Sequence, residues 1–578
     1  MKNKNNKQST QIIQKIPEVF VAIGYDEVYD DFESMKPMAL LDGIPTVSVL
    51  EFVAKEYARV FYAQSDKTTQ RHQIYDFCPF IPANKRKRVW NFVNRTIADS
   101  HHPFIYGAMG CRMLYRLALQ SYTPLDPDDD AQLCRDEYEP LFKALLYCNK
   151  LWTDHQLSKD KFSLADILLK MDIPVVEGKQ YKDFRPQLYK ADRFFTFCQN
   201  DRTFKSYLPF FYKSKNVKNW GEYVMLLFNI YAYSIKNYIL PKGNAQEQQF
   251  LSQFVIDEKD TALTTIWDVG QKGVDYLRNH FLFIIPNGDY LLLDANLLID
   301  KIYQGLKFDL FNTIQSNGLL NAKGKPYKDL PEFNSTLGTV FSERHLLYGL
   351  LEQIYQGGKA IRFTGEDLKA AGIMGEPDYY LRIDNTLFLI EYKDLLFPDT
   401  LRYSDSIDDI KQGILDRLCM DDGKKRKGGG QLLYTIDRII NHGLMDSLDP
   451  GVKSVDNVFP LLVTTDRAFS AMGVNNVVIE AFDGIMKKYA FNKPVMIWVP
   501  VIINLDSLIL LSYRLHTMKL QLAQLLVDYI KGNWKNISSF DNYVFDECKE
   551  SKQDRAGATQ FLFTNMVSKV AAMTAEQM

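Results

Sequence analysis

Most of the signals that usually announce a chemistry are missing from this chain. Cysteine is scarce: seven thiols in 578 residues, at positions 78, 111, 134, 148, 198, 419 and 548. None forms a CxxC pair and none stands at zinc-finger spacing from a histidine. That argues against a disulfide framework, a zinc finger and a thioredoxin-like redox site, and points to reduced thiols in a cytoplasmic protein. Long apolar runs are also lacking, so no bilayer-spanning segment is expected. The polar opening MKNKNNKQSTQ is not followed by the apolar stretch of a secretory leader. An excess of one charge is absent, because 69 basic residues face 71 acidic ones. Contacts with a polyanion must therefore come from local patches. No GxxxxGK[ST], GxSxG or HExxH occurs, which removes the ATP motors, the nucleophile-elbow hydrolases and the HExxH metalloproteases. The eight histidines are scattered, with His101-His102 the one adjacent pair, and core or surface roles suit them better than metal binding.

What is present is ordinary globular material: 46% hydrophobic and 24% charged residues, on a length that suits three or four domains. The 13% aromatic share implies large cores and stacking surfaces. Residues 1–12 read as a polar, disordered tail. Residues 13–275 read as a mostly helical domain of unstated role. Its apolar residues recur at helical spacing over 47–61, 90–97, 108–119, 138–152, 162–171 and 223–238, and a Pro/Asp-rich linker covers 122–130. No internal repeat shows a clear period. Residues 276–335 read as a hairpin around Pro286-Asn287-Gly288-Asp289, a helix over 296–314 and a polar connection. Residues 336–535 then alternate helix and strand, and 536–578 read as a tail with a short helix.

Within that alternation, the stretch MGEPDYYLRIDNTLFLIEYKD (374–394) stands out. Residues 379–383 form one strand, 384–386 a turn and 387–390 a second, wholly apolar strand. The second strand ends in Glu391-Tyr392-Lys393-Asp394. Charges beside a sheet core are normally paired, bound to metal or used in chemistry. In an antiparallel hairpin early positions on one strand face late positions on the other, so Asp378 and Glu391 are neighbours across the ladder, and period-two alternation puts Glu391 and Lys393 on one face. Two carboxylates with a lysine beside them suit metal-assisted hydrolysis of a phosphodiester. Mg²⁺ needs few protein oxygens, acts as a Lewis acid and lowers the pKa of bound water, while the lysine orients or deprotonates that water.

The surrounding order is a helix over 338–355, a strand over 360–364, the hairpin, a charged helical insertion over 399–420, a flexible basic loop over 421–430, a helix over 431–440 and a strand over 458–464. With Pro377-Asp378 and Glu391-Tyr392-Lys393, this order resembles the PD-(D/E)XK nuclease superfamily, the restriction-endonuclease-like fold. The resemblance covers residues 338–464. It implies an α/β core with a mixed sheet, to which the apolar run 495–503 adds, beside the large helical N-terminal domain. It further implies Asp378 and Glu391 as ligands of Mg²⁺, with Mn²⁺ able to substitute, and Lys393 as water-positioning base or stabiliser. Glu343 matches the accessory acid on the preceding helix and would join the metal through water. It shares helical spacing with Leu347, Leu350 and Ile354, and Glu352 is its competitor. Gln431, with Tyr434 a turn later, matches a glutamine that orients substrate or water. The long insertion before Gln431 departs from the family pattern. A stand-alone chain of this build resembles prokaryotic defence or mobile-element nucleases, by analogy of fold.

The expected activity is thus metal-dependent cleavage of nucleic acid, most simply DNA. The alternatives are a silent nucleic-acid-binding or scaffold protein keeping the fold, and an RNA-directed nuclease. Lys424, Lys425, Arg426 and Lys427, on the loop before Gln431, are candidates for gripping phosphates. The run Lys85-Arg86-Lys87-Arg88 reads rather as a helix start with a solvated face. A protein partner or a second copy is expected to use the helical domain. Short charged patterns also recur by chance: Pro127-Asp128 and Pro398-Asp399 lack the strand context.

Overall fold

The computed structural model describes residues 20–63, 67–126, 131–156, 163–176, 183–234, 238–256, 277–532 and 538–575. The expected tail at 1–12 and the Pro127–Asp130 end of the expected linker lie outside them. The fold is mixed α/β, with a mixed six-stranded sheet in the C-terminal half. Among the described residues, no helix is long and apolar enough to cross a membrane, and all seven cysteines are free thiols.

The first half is built of helices where the periodicity places them, including Thr46–Ala63, Ala83–Ala98, Ala108–Gln120, Tyr138–Gln156 and Trp220–Ser234, and of further helices it does not mark, Arg185–Asn200 and Arg202–Ser214. The hairpin around Asn287-Gly288 forms as Leu282–Ile284 against Tyr290–Leu292, with Ile239–Leu240 as a third strand.

In the large sheet, β1 is Ile361–Thr364, β2 Tyr379–Ile383, β3 Thr386–Lys393, β4 Asn457–Thr464, β5 Met496–Ile497 and β6 Val501–Asn504. β1, β2 and β3 are antiparallel neighbours. β4 lies parallel to β3, and both β5 and β6 pair parallel with β4. The β2–β3 turn is one residue tighter than expected: Ile383 pairs with Thr386, and Asp384 sits at φ 49°, a conformation aspartate tolerates better than most residues. β3 does not stop at Ile390. Its ladder with β4 continues to Lys393 opposite Thr464, so the charged end of the hairpin is held as strand.

The sheet divides two hydrophobic cores by strict alternation. Tyr379, Leu381, Phe388, Ile390, Phe459 and Leu461 face a core continuous with the N-terminal helices. Tyr380, Leu387, Leu389, Val458 and Leu462 face the other, covered by α2 (Ile407–Leu418), α3 (Gly429–His442) and α4 (Val474–Met486). The first face carries α1 (Gly338–Tyr348, continuing as Gly349–Tyr355) and α5 (Leu505–His516). β3 and β4 are buried on both sides, which explains their nearly continuous apolar runs.

Four expectations change. The helix over 296–314 is two helices, Ala295–Asp300 and Gln304–Ser316. The break lets Lys301 Nζ reach Asn279 Oδ1 at 2.8 Å and Asp309 Oδ1 at 3.2 Å. The helix over 511–530 is also two, α5 and Leu522–Lys531, interrupted where Met518 adopts φ 56°. The basic loop over 421–430 is a hairpin of Cys419–Asp421 with Arg426–Gly428. Its turn is tied by Asp422 Oδ1, which accepts from the backbone N–H groups of Lys424 and Lys425. The C-terminal segment is not a loose tail with a short helix. Lys552–Ala575 packs Phe561 against His516, and Arg185 pairs with Glu550 at 2.6 Å.

Candidate active site

Asp378 immediately precedes β2, and the register Tyr379↔Ile390 sets it opposite Glu391. Directly opposed residues carry their Cβ atoms about 5 Å apart, so the two carboxylates are neighbours. Both lie on the face of Tyr380 and Leu389, together with Lys393. Asp378 Oδ2 accepts the N–H of Tyr392 at 2.7 Å, so its side chain continues the ladder one residue beyond the end of β2. Lys393 Nζ donates to Glu391 Oε1 at 2.5 Å. Glu391 is 2% exposed, and its Oε2 is buried without a hydrogen-bond partner.

This electrostatic arrangement is costly to the apo fold. Burial, reinforced by the neighbouring Asp378, pushes the Glu391 carboxyl up to about 8, against the pull of Lys393. Burial likewise pushes Asp378 up to about 6, against Lys393 and the Tyr392 N–H. For Lys393, burial works to lower the pKa. The charges of Glu391, Asp378 and Glu343 outweigh it and hold the lysine above its ordinary value. The ammonium is therefore protonated in this state, which suits an electrostatic stabiliser better than a base.

Glu343 does join this group, by a route the helical repeat misses. Residues 338–348 are π-helical, with i→i+5 spacing. Glu343 is half-buried there, unlike the fully buried Leu347, Leu350 and Ile354. Tyr348, five residues on, donates its hydroxyl to Glu343 Oε1. The Glu343 charge is felt by Asp378, Glu391 and Lys393 alike. The competitor Glu352 is engaged elsewhere, accepting from Tyr379 Oη at 2.6 Å and pairing with Arg362 at 3.3 Å.

Gln431 stands at the entrance rather than among the acids. α3 grips the loop that leads into Asp378: Thr435 Oγ1 donates to Gly375 O at 2.8 Å, Gln431 Nε2 to Glu376 O at 3.4 Å and Arg438 to Met374 O. Gly375 has φ 74°, and a side chain there would press on the Tyr434 ring. The basic run splits. Lys424 and Lys425 are exposed at the hairpin tip. Arg426 stacks on Tyr434 and bonds Asp421, and Lys427 Nζ donates to Asp416 O.

Two contributors escaped the sequence reading. Tyr348 lies in the helix expected over 338–355 and is not singled out there. Lys369, on the short helix Gly365–Ala370, pairs with Glu376 at 3.2 Å and feels both Glu343 and Asp378. The Thr364-to-Asp367 capping box would have revealed that helix. Gly365 is required by close approach. Its N–H donates to Asp378 O at 2.8 Å, and a Cβ would lie 3.2 Å from both Pro377 O and Tyr348 Oη.

Among the described residues, no group of three or more His, Cys, Asp and Glu side chains is arranged to hold a metal. Here the carboxylates are turned onto Lys393, Tyr392 and Tyr348. Two carboxylates suffice for Mg²⁺, which keeps most of its water, and the orphan Glu391 Oε2 fits a cation. No family model, curated protein or solved structure matches the chain.

Proposed function

We propose that this protein is a divalent-metal-dependent nuclease hydrolysing phosphodiester bonds, with DNA as substrate. The observation that carries the reading is the buried cluster Asp378–Glu391–Lys393. It places two acids and a protonated lysine on one sheet face, with a carboxylate oxygen left unsatisfied. Buried acids so perturbed are expensive and are typical of functional sites. Asp378 and Glu391 would hold Mg²⁺ or Mn²⁺, with Glu343 reaching it through water. Such an ion polarises a phosphoryl oxygen and makes bound water nucleophilic at neutral pH. Lys393 orients the attacking water and balances the negative charge that grows on the phosphoryl oxygens. Gln431 meets the substrate beside the loop at Glu376, and Lys424 and Lys425 contact backbone phosphates. The resemblance to the PD-(D/E)XK superfamily supports the same assignment of roles.

The test incubates the protein with plasmid, linear DNA and RNA in Mg²⁺, Mn²⁺ or EDTA, beside Asp378→Asn and Lys393→Ala. We expect metal-dependent DNA cleavage that falls roughly 100-fold or more in each variant. Cleavage surviving both substitutions overturns the site. Cleavage of RNA alone overturns the substrate, and no cleavage of any substrate overturns the activity.

A further inference from the structure

A second site lies on the same edge of the sheet and takes no part in the acid–lysine cluster. β3, β4 and β6 run parallel and end at Lys393, Thr464 and Asn504. In α/β sheets, ligands settle in the crevice beyond the carboxyl ends of parallel strands. A cavity of about 470 Å³ occupies that position here, walled by the segments that leave each strand: Phe397 after β3, Thr465 after β4 and Asp506 after β6. Its opposite wall comes from the helical half, through Lys190 on Arg185–Asn200 and Phe308 on Gln304–Ser316.

The lining is strongly charged. Lys190, Arg278, Lys301, Arg402 and Arg467 supply five cations against four aspartates. Lys190 is only 2% exposed and Lys301 only 3%. Lysines so buried are rare and demand oriented partners. Lys190 Nζ has Asp506 at 2.6 Å, and Lys301 Nζ has Asn279 Oδ1 at 2.8 Å. Arg278 meets Asp399 at 3.2 Å. A rigid set of cations favours a phosphate. Carboxylates within the same wall accept hydroxyl groups, as acids do from a ribose. Phe308, half-buried on the helical wall, offers an aromatic face for a base, whereas Phe397 is buried against Phe469. The volume falls in the range of small-molecule sites.

We propose that this cavity binds a nucleoside phosphate, its phosphate toward the lysines and arginines and its base against Phe308. The cavity lining touches the residues beside the cluster: Thr465 Oγ1 donates to Asp394 Oδ1 at 2.5 Å, next in the chain to Lys393, and Asp394 Oδ2 accepts from Ser342, the neighbour of Glu343. The proposal concerns binding alone and stands whether or not the protein cleaves nucleic acid.

The test titrates the full chain with AMP, ATP and inorganic phosphate by calorimetry, without nucleic acid. Two variants accompany it. Arg278→Gln removes one cation at the cavity. Asn312→Trp narrows the cavity from an exposed position of its rim, where the fold tolerates bulk. We expect saturable binding of AMP or ATP, one per chain, weakened roughly ten-fold or more in both variants while their circular dichroism stays that of the parent. No saturation by either nucleotide up to about 1 mM overturns the proposal. So does binding unchanged in both variants, and so does inorganic phosphate binding as tightly as AMP, which would leave Phe308 without a role.

Discussion

Glu391→Gln is expected to stabilise the metal-free protein, and to do so more as the pH rises. In the folded chain the Glu391 carboxyl is pushed from its ordinary 4.5 up to about 8, first by burial and then by Asp378. A carboxyl raised in this way keeps its proton where the unfolded chain releases it. Its contribution to stability is intact below about 4.5 and is lost as the pH climbs toward 8. Each unit in that window costs about 1.4 kcal/mol. Between pH 5 and pH 7.5 the wild type therefore loses about 3 kcal/mol that a glutamine, which does not titrate, retains. Glutamine also keeps an oxygen for Lys393 Nζ, which donates to Glu391 Oε1 at 2.5 Å, so the shape of the site survives.

The assay is thermal and urea unfolding of both proteins in EDTA at several pH values across that window. The difference between the two proteins should widen steadily with pH in favour of the variant. Mg²⁺ should then raise the midpoint of the wild type at pH 7.5 and leave the variant nearly unmoved, because ligand binding stabilises only the form that binds. A difference independent of pH, or a variant that loses ground as the pH rises, refutes the claim that Glu391 is held protonated by its surroundings.

Three further outcomes follow from the same geometry. Metal affinity should rise between pH 6 and pH 8, because the ion must displace protons from Asp378, raised to about 6, and Glu391, raised to about 8; calorimetry in buffers of different ionisation enthalpy should register proton release. Gly365→Ala should cost about 1–3 kcal/mol of stability, measured by urea unfolding, because the added Cβ meets Pro377 O and Tyr348 Oη at 3.2 Å; it should lower cleavage too, by shifting Asp378. The double change Lys424→Ala and Lys425→Ala at the exposed hairpin tip should flatten the salt dependence of DNA binding by about one to two phosphate contacts and leave the fold intact, as read by binding titrations at several salt concentrations.

What could be read from the sequence, and what could not, divides along physical lines. The strands of the sheet were legible because period-two alternation and short apolar runs are local properties, and a hairpin's register follows from its turn. That Asp378 and Glu391 are neighbours follows from early positions on one strand facing late positions on the other, while the exact register depends on the tighter turn at Asp384-Asn385. The breaks at Lys301 and Met518 were not legible, because apolar spacing runs straight through both; the first is tied to a buried ion pair with Asp309, the second is marked by a left-handed residue. The docking of Lys552–Ala575 rests on contacts such as Arg185 with Glu550, hundreds of positions apart, which no local pattern encodes.

Glu343 is the most instructive case. A 3.6-residue repeat aligns it with Leu347, Leu350 and Ile354, and an acid on a buried stripe then calls for a function. In the π-helical turn it is half-buried and held by Tyr348. Its charge nevertheless raises both Asp378 and Glu391. The residue was thus found through a spacing that the structure does not keep. What carries it to the cluster is the widened turn itself, which sets an acid and a tyrosine five residues apart on one side of α1. An insertion of this kind commonly marks a site where function outweighs regular helix geometry. Glu343→Ala, which removes the acid and leaves the turn in place, should lower DNA cleavage while Leu350 and Ile354 still pack. If the protein then folds and cuts DNA as before, the accessory role of Glu343 is wrong and the acids of the hairpin act without it.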